Sequence, residues 1–265
     1  VLSGQPEDFG DISETVQMRE NAQVYVDAEV LKDKRAFSFA AKGSLLVDEE
    51  HLLGAFDREF GTAAQWSEPV FLYMNFQSAH FPYDHPGVPH RMTDNPLPRG
   101  AINIGNKDAV QATYWNAVAN SDAWLGQLVT RLKKLGVWDN SILVVTGDHG
   151  ESLFEDGFLG HGHIINDRQY GTFFVTNRPG LSHEQPVSIS DYRGMILSLL
   201  SGKAKVPAPF APFMHVGPLD TPTQIGMATQ NGIVSLRLDT GIACFSGADT
   251  CAPHERLTQE RKVAV

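Results

Sequence analysis

The sequence predicts an α/β fold, a mostly parallel sheet flanked by helices with a small antiparallel hairpin near the C-terminus. Three observations predict it. Apolar runs of strand length recur at Pro69–Phe76 (PVFLYMNF), Ser141–Thr146 (SILVVT) and Gly171–Thr176 (GTFFVT), and such near-continuous runs mark strands covered on both faces. Helical periodicity fills the intervals between them. Strands that alternate with helices in this way form parallel sheets with helices on the faces.

In chain order, the opening 30 residues are polar and Gly/Pro-punctuated, and read as loops around one or two short elements. Val1-Leu2, just ahead of the Ser3-Gly4 turn signal, resembles the tail of a strand. Residues 48–60 fit a short helix with Leu52, Leu53, Phe56 and Phe60 inward. After the 69–76 run, Phe81 to Pro98 holds five prolines and reads as a long ordered loop. Asn106 to Leu135 is the longest predicted helix, with Ala109, Ala112, Trp115, Val118, Ala119, Trp124, Leu125, Leu128, Val129 and Leu132 at helical spacing. Lys133 and Lys134 complement its C-terminal dipole, and Gly136 ends it. Ser190–Leu200 predicts another helix with Met195, Ile196, Leu199 and Leu200 inward, and 223–228 with 233–238 predicts an edge hairpin. Residues 1–265 are expected to form part of one domain, with 201–265 as its C-terminal edge.

The 265 residues carry a formal net charge of −10. Phosphate-backbone binding needs a basic face, so nucleic acid is not expected as a partner. A small anionic substrate remains compatible, because a bound cation inverts the local field. No run reaches the length of a membrane span, and no charged-then-apolar leader opens the chain, so secretion or anchoring would need residues outside it. Cys244 and Cys251 are the only cysteines; they suit either a local disulfide in an oxidising compartment or two reduced, half-buried thiols.

The chemistry concentrates where apolar runs end, the place where α/β sheets bind ligands. SILVV leads straight into TGDHGESLFEDGFLGHGH, in which eighteen residues hold three histidines, two aspartates, two glutamates and five glycines. Asp148 and His149 are adjacent between glycines, and a turn there lets a carboxylate and an imidazole converge on one divalent ion, Zn, Mn, Ca or Mg. The alternative use of Asp148 is as the cap of a helix starting near Glu151. In GHGH, glycine freedom lets the loop fold back, so that His161 or His163 faces the same volume. His80 follows the other strand end, in SAHFPYDHPG, where an imidazole can hydrogen-bond a transferring group or protonate a leaving group. Tyr83 and Arg91, in the proline-rich loop, are candidates for stacking on a sugar and for holding an anion. Ser152 lacks the Gly-x-Ser-x-Gly setting of an esterase nucleophile.

These segments resemble the sulfatase and alkaline-phosphatase superfamily. A strand ending in TGDHGES with a later GHG is similar to its C-terminal metal motif. FLYMNFQSAHFPYDHPG is similar to its histidine-proline loop, and YWNAVANSDAWLGQLVTRLKKLGVWDNSILVVTGDHG to the long helix feeding the metal strand. The lipoteichoic-acid-synthase-like and phosphoethanolamine-transferase-like envelope enzymes share the most of this pattern. The resemblance implies an alkaline-phosphatase-like fold, Asp148 and His149 as metal ligands, and His80 and His161 as catalytic groups. His163, Tyr83 and Arg91 stand as substrate-binding candidates beside them.

The family's nucleophile is a Thr, a Ser or a formylglycine in an earlier half that this chain does not match. The upstream half of the domain, joined or associated, is therefore expected as a partner. The implied activity is hydrolysis or transfer of sulfuric or phosphoric esters through a covalent intermediate. Its alternatives are phosphoethanolamine or phosphoglycerol transfer onto envelope lipids or glycans, and an inactive anion-binding domain. Substrates would be small anionic esters, lipid head groups or glycans, and the setting a periplasmic or extracellular membrane face, with the cytoplasm the other choice.

Overall fold

The computed structural model describes residues 2–3, 23, 49–85, 88–181, 186–202, 212–246 and 250–259. Most of the opening read as loops thus lies outside the described residues. The chain divides into two compact units, Val1–Ser141 and Ile142–Val265.

In the first unit, strand β1 (Leu2–Ser3) pairs in parallel with β2 (Met74–Asn75). Helix α1 (Glu49–Phe60) and the long helix α2 (Lys107–Lys134) match the predicted spans to within a residue or two. Leu52, Leu53, Ala55 and Phe56 of α1 meet Leu128 and Leu132 of α2 in one core cluster. Each large side chain so buried contributes about 1.5–3 kcal/mol of transfer free energy. Asp57 and Arg131 clip the two helices from the solvent side, Nε to Oδ1 at 2.9 Å. Both are substantially exposed, and such a pair adds at most about 1 kcal/mol.

Two expectations are corrected here. The 69–76 run is covered on one face only: Leu72, Met74 and Phe76 pack against the core cluster, while Phe71 and Tyr73 are exposed. The first half of α2 buries a polar stripe instead of the apolar set, leaving Trp115 exposed. Thr113, Asn116 and Asn120 are fully buried because they satisfy the proline-rich loop. Asn116 Oδ1 accepts from the Arg91 and Met92 amides, Thr113 Oγ1 from the Leu97 amide, and both asparagines donate to Pro89 O. A loop rich in proline has few partners for its own amides and carbonyls, so the helix supplies them.

In the second unit, β3 (Val144–Thr146) pairs antiparallel with β6 (Phe174–Thr176). A parallel crossover was expected for 171–176. The chain instead doubles back through the short antiparallel pair β4 (Ser152–Leu153) and β5 (Leu159–Gly160) and the one-turn helix α3 (Asp167–Tyr170), which returns β6 beside β3. Phe174 packs edge-on against Tyr192 while Phe173 and Val175 stay exposed. Helix α4 (Tyr192–Leu200) buries Met195 and Ser198; Leu200, expected inward, is exposed. The predicted hairpin is the centre of a larger antiparallel sheet, in the order β11 (Thr250–Pro253), β10 (Ile242–Phe245), β9 (Gly232–Arg237), β8 (Gln224–Thr229), β7 (Phe213–Val216). Cys244 and Cys251 face each other across β10 and β11 and form a disulfide. No helix among the described residues is long and apolar enough to cross a membrane.

Candidate metal centre

Strand β3 ends at Thr146, whose hydroxyl donates to Phe173 O at 2.7 Å. Gly147 O accepts from Thr172 Oγ1, so the turn that follows is held at its root. His149 Nδ1 lies 2.8 Å from Gly150 O. A carbonyl can only accept, so Nδ1 carries the proton and the Nε2 lone pair is left for a ligand. Glu151, two residues on, is brought to the same side, and its Oε2 accepts from His161 Nδ1 at 2.9 Å. Donation of the second ring N–H to a carbonyl or a carboxylate is the usual support of a metal-binding imidazole.

The return loop works as its glycines imply. Gly160 and Gly162 have φ of +90° and +78°, conformations that residues with a Cβ rarely adopt. They turn the chain so that the His161 ring lies over that of His149, with centroids 3.5 Å apart. His149, Glu151 and His161 each offer one ligand atom, all within 4.8 Å of one another. Two imidazole nitrogens and a carboxylate oxygen form a donor set suited to zinc or manganese. Asp148 stands beside them, with Oδ2 3.6 Å from His149 Nε2 and Oδ1 accepting from the His149 amide. No helix starts at Glu151, where the chain enters β4, so Asp148 caps nothing there. The hydrogen bond to Glu151 raises the His161 pKa above the ordinary imidazole value; burial opposes it, and the charges of Glu151 and Asp148 add to it.

The other candidates fall differently. His163 turns away from the three ligands: its ring stacks on Phe158 with centroids 5.2 Å apart, and its Nε2 donates to Leu159 O. Ser152 is fully buried and donates to Asp156 Oδ2 at 2.6 Å, a bound hydroxyl and not an attacking one. In the first unit, His80 is exposed, with Nδ1 donating to Phe81 O. Its loop is anchored by Glu49, which no sequence motif marks. The buried Glu49 carboxylate accepts from the Gln77 and Ser78 amides and the Ser78 hydroxyl. Burial raises its pKa, against those hydrogen bonds. Tyr83 is fully buried, edge-on to Phe81 and to Tyr114, which corrects its expected role as an open platform for a sugar. Arg91 is exposed and its Nε donates to Asn120 Oδ1 at 2.9 Å.

The profile of the sulfatase family matches residues 7–201 of this chain. The chain belongs to the sulfatase family. Among sulfatase-family relatives, the uncharacterized sulfatase YdeN of Escherichia coli is 29% identical over 146 residues, which is 54% of this chain and 22% of that protein. Among solved structures, the lipoteichoic acid synthase LtaP of Listeria monocytogenes superposes with a TM-score of 0.63 at 17% identity, covering 97% of this chain and 64% of that one. The phosphonate monoester hydrolase of Agrobacterium radiobacter gives 0.54 at 16% identity, covering 79% and 55%. The chain therefore spans less than two thirds of each relative. At these identities the structural likenesses show the fold, which is alkaline-phosphatase-like, as the sequence led one to expect.

Proposed function

We propose that this sulfatase-family chain carries the metal centre of a hydrolase or transferase acting on small anionic esters of phosphoric or sulfuric acid. The observation that carries the proposal is the convergence of His149, Glu151 and His161 with Asp148 alongside. A divalent ion held there supplies Lewis-acid polarisation of a phosphoryl or sulfuryl oxygen and lowers the pKa of an attacking hydroxyl.

The protein's own groups have separable tasks. The two imidazoles present Nε2 as ligand atoms because their Nδ1 protons are engaged. Glu151, mostly buried and bound to His161, fixes that ring and adds negative charge that favours a cation. The family resemblance gives His80 the leaving-group proton. The covalent ester, formed on a nucleophile expected outside this chain, belongs to the same proposal, as does a periplasmic or extracellular setting, which the Cys244–Cys251 disulfide supports.

A second reading, an anion-binding domain without catalysis, is separated by experiment. Titration with Zn²⁺ and Mn²⁺ should show one site per chain, lost in Asp148→Ala/His149→Ala. Metal content unchanged in that double variant would refute the site. Aryl sulfate, aryl phosphodiester and phospholipid donors, assayed with the full-length protein, then separate sulfatase, phosphodiesterase and transferase.

A further inference from the structure

We infer that Gln169, a residue outside the ligand set, is the positioning residue that holds the two halves of the metal centre in register; the inference rests on the metal reading above. Its side chain is 1% exposed, and every hydrogen-bonding direction of its amide is used on one of the two loops. Oε1 accepts from the His163 amide at 2.9 Å and the Ile164 amide at 3.2 Å, two and three residues after His161. Nε2 donates to Ser152 Oγ at 3.1 Å, directly after Glu151, and more weakly to Asp156 Oδ2 at 3.4 Å. Its backbone carbonyl accepts from the Gly150 amide at 3.0 Å, between His149 and Glu151. One buried residue thus grips the His149–Glu151 segment at two points and the His161 segment at two more.

The chemistry explains why this position needs an amide. An oxygen must accept two backbone N–H groups while the other end donates to a hydroxyl and a carboxylate. Asp156 is ionised: burial raises its pKa, but hydrogen bonds from Ser152, Asn166 and the Phe158 amide outweigh that and hold it below the usual carboxylate value. A carboxylate at 169 would face this negative charge without a donor, and an alkyl group would leave the His163 and Ile164 amides without their acceptor. The residue is itself held, since its amide donates to Asn166 Oδ1 at the start of α3, and Asn166 Nδ2 donates to Asp156 at 2.7 Å. Both ligand rings are exposed, so no packed core encloses them. Their relative position is therefore set from beneath.

The test is calorimetric titration of the full chain with Mn²⁺ and with Zn²⁺, well below the unfolding midpoint of each variant. Gln169→Ala, and Gln169→Asn as the milder variant should the first fail to fold, are expected to weaken binding about 10- to 100-fold, the usual effect of removing a ligand's support. Hydrogen exchange at the His163 and Ile164 amides should rise at least tenfold, with the amides of β8 and β9 unchanged. Met195→Ala, in the same unit and away from the loops, controls for stability and should lower the midpoint without changing metal affinity. Wild-type binding that persists unchanged in the Gln169 variants would overturn the positioning role alone. Absence of binding by the wild type would overturn the metal reading itself.

Discussion

Acidification should destabilise this protein through His85, and the structure gives the size of the effect. His85 is 9% exposed, in the loop that carries His80, and its Nε2 donates to His80 O at 3.2 Å. Burial lowers its pKa from 6.5 to about 4, with the nearby His80 charge adding to the fall and hydrogen bonds to the His80 and Ser78 backbone opposing it. Between pH 6.5 and 4 the unfolded chain therefore binds a proton that the folded chain refuses. Stability contributed by neutral His85 is present above pH 6.5 and is lost as pH falls toward 4. Going from pH 7 to pH 5 should cost about 2 kcal/mol at this residue alone, from the linkage relation with those two values. Glu49, with its raised pKa, changes stability in the opposite direction over part of the range. The assay is accordingly a difference: urea unfolding of wild type and His85→Gln at half-unit intervals from pH 7.5 to 4.5. The variant's profile should be flatter by about 2 kcal/mol between pH 7 and pH 5. Parallel profiles would show that His85 takes up its proton in the folded state as readily as in the unfolded one, and the reasoning from burial would be wrong.

Three other perturbations test the fold around the two histidine loops. Gly150→Ala places a Cβ that would overlap Arg168 O and lie 2.6 Å from Gly171 O; these are backbone atoms of α3 and its end, so a loss of about 1–3 kcal/mol is expected in thermal unfolding, together with weaker metal binding. Glu49→Ala orphans the buried Gln77 and Ser78 amides, which at about 1–3 kcal/mol each should lower the denaturant midpoint sharply, while Glu49→Gln retains an acceptor oxygen and should cost less. Reducing the Cys244–Cys251 disulfide frees a loop with a sequence separation of 7 and should cost roughly 2 kcal/mol by chain entropy, read as faster amide exchange in β10 and β11 with β3 unaffected.

What the sequence made legible follows a physical division. Periodicity reports which face of an element meets a core, so α1 and the second half of α2 were recovered with their inward residues Leu52, Phe56, Leu128 and Leu132. It does not report polar burial. Thr113, Asn116 and Asn120 lie outside the predicted inward set, yet they are buried because they supply hydrogen-bond partners to the proline-rich loop. Apolar runs signalled strands at 74–75, 144–146 and 174–176 but overstated their coverage, since hydrophobicity cannot show which face has a neighbour. At the candidate metal centre, Asp148, His149 and His161 are visible as residue types after a strand. Glu151 carried a signal that was passed over: it lies two residues from His149, the spacing that returns a side chain to the same side of extended backbone. Gln169 carried none, because an amide in a short polar helix looks like surface until its partners are known.

The arrangement also explains why so exposed a centre can be defined at all. Side chains of His149, Asp148 and His161 are 38%, 87% and 46% exposed. Exposure removes the packing that would otherwise fix a ring, and glycines at 160 and 162 relax the backbone further. Precision then has to come from hydrogen bonds made by residues one to three positions away from the candidate ligands. Gly150, Ser152, His163 and Ile164 all contribute a donor or a hydroxyl to Gln169, and Ile165 donates its amide to Gln224 of β8, whose Nε2 donates in turn to Ser235 of β9. The C-terminal sheet, which holds none of the ligands, is in this way part of what orders them. Gln224→Ala should therefore weaken metal binding less than Gln169→Ala does, since it releases one amide beyond His161 where Gln169 releases two. A larger loss from Gln224→Ala in a titration of the two variants would place the decisive support in the sheet instead of in α3.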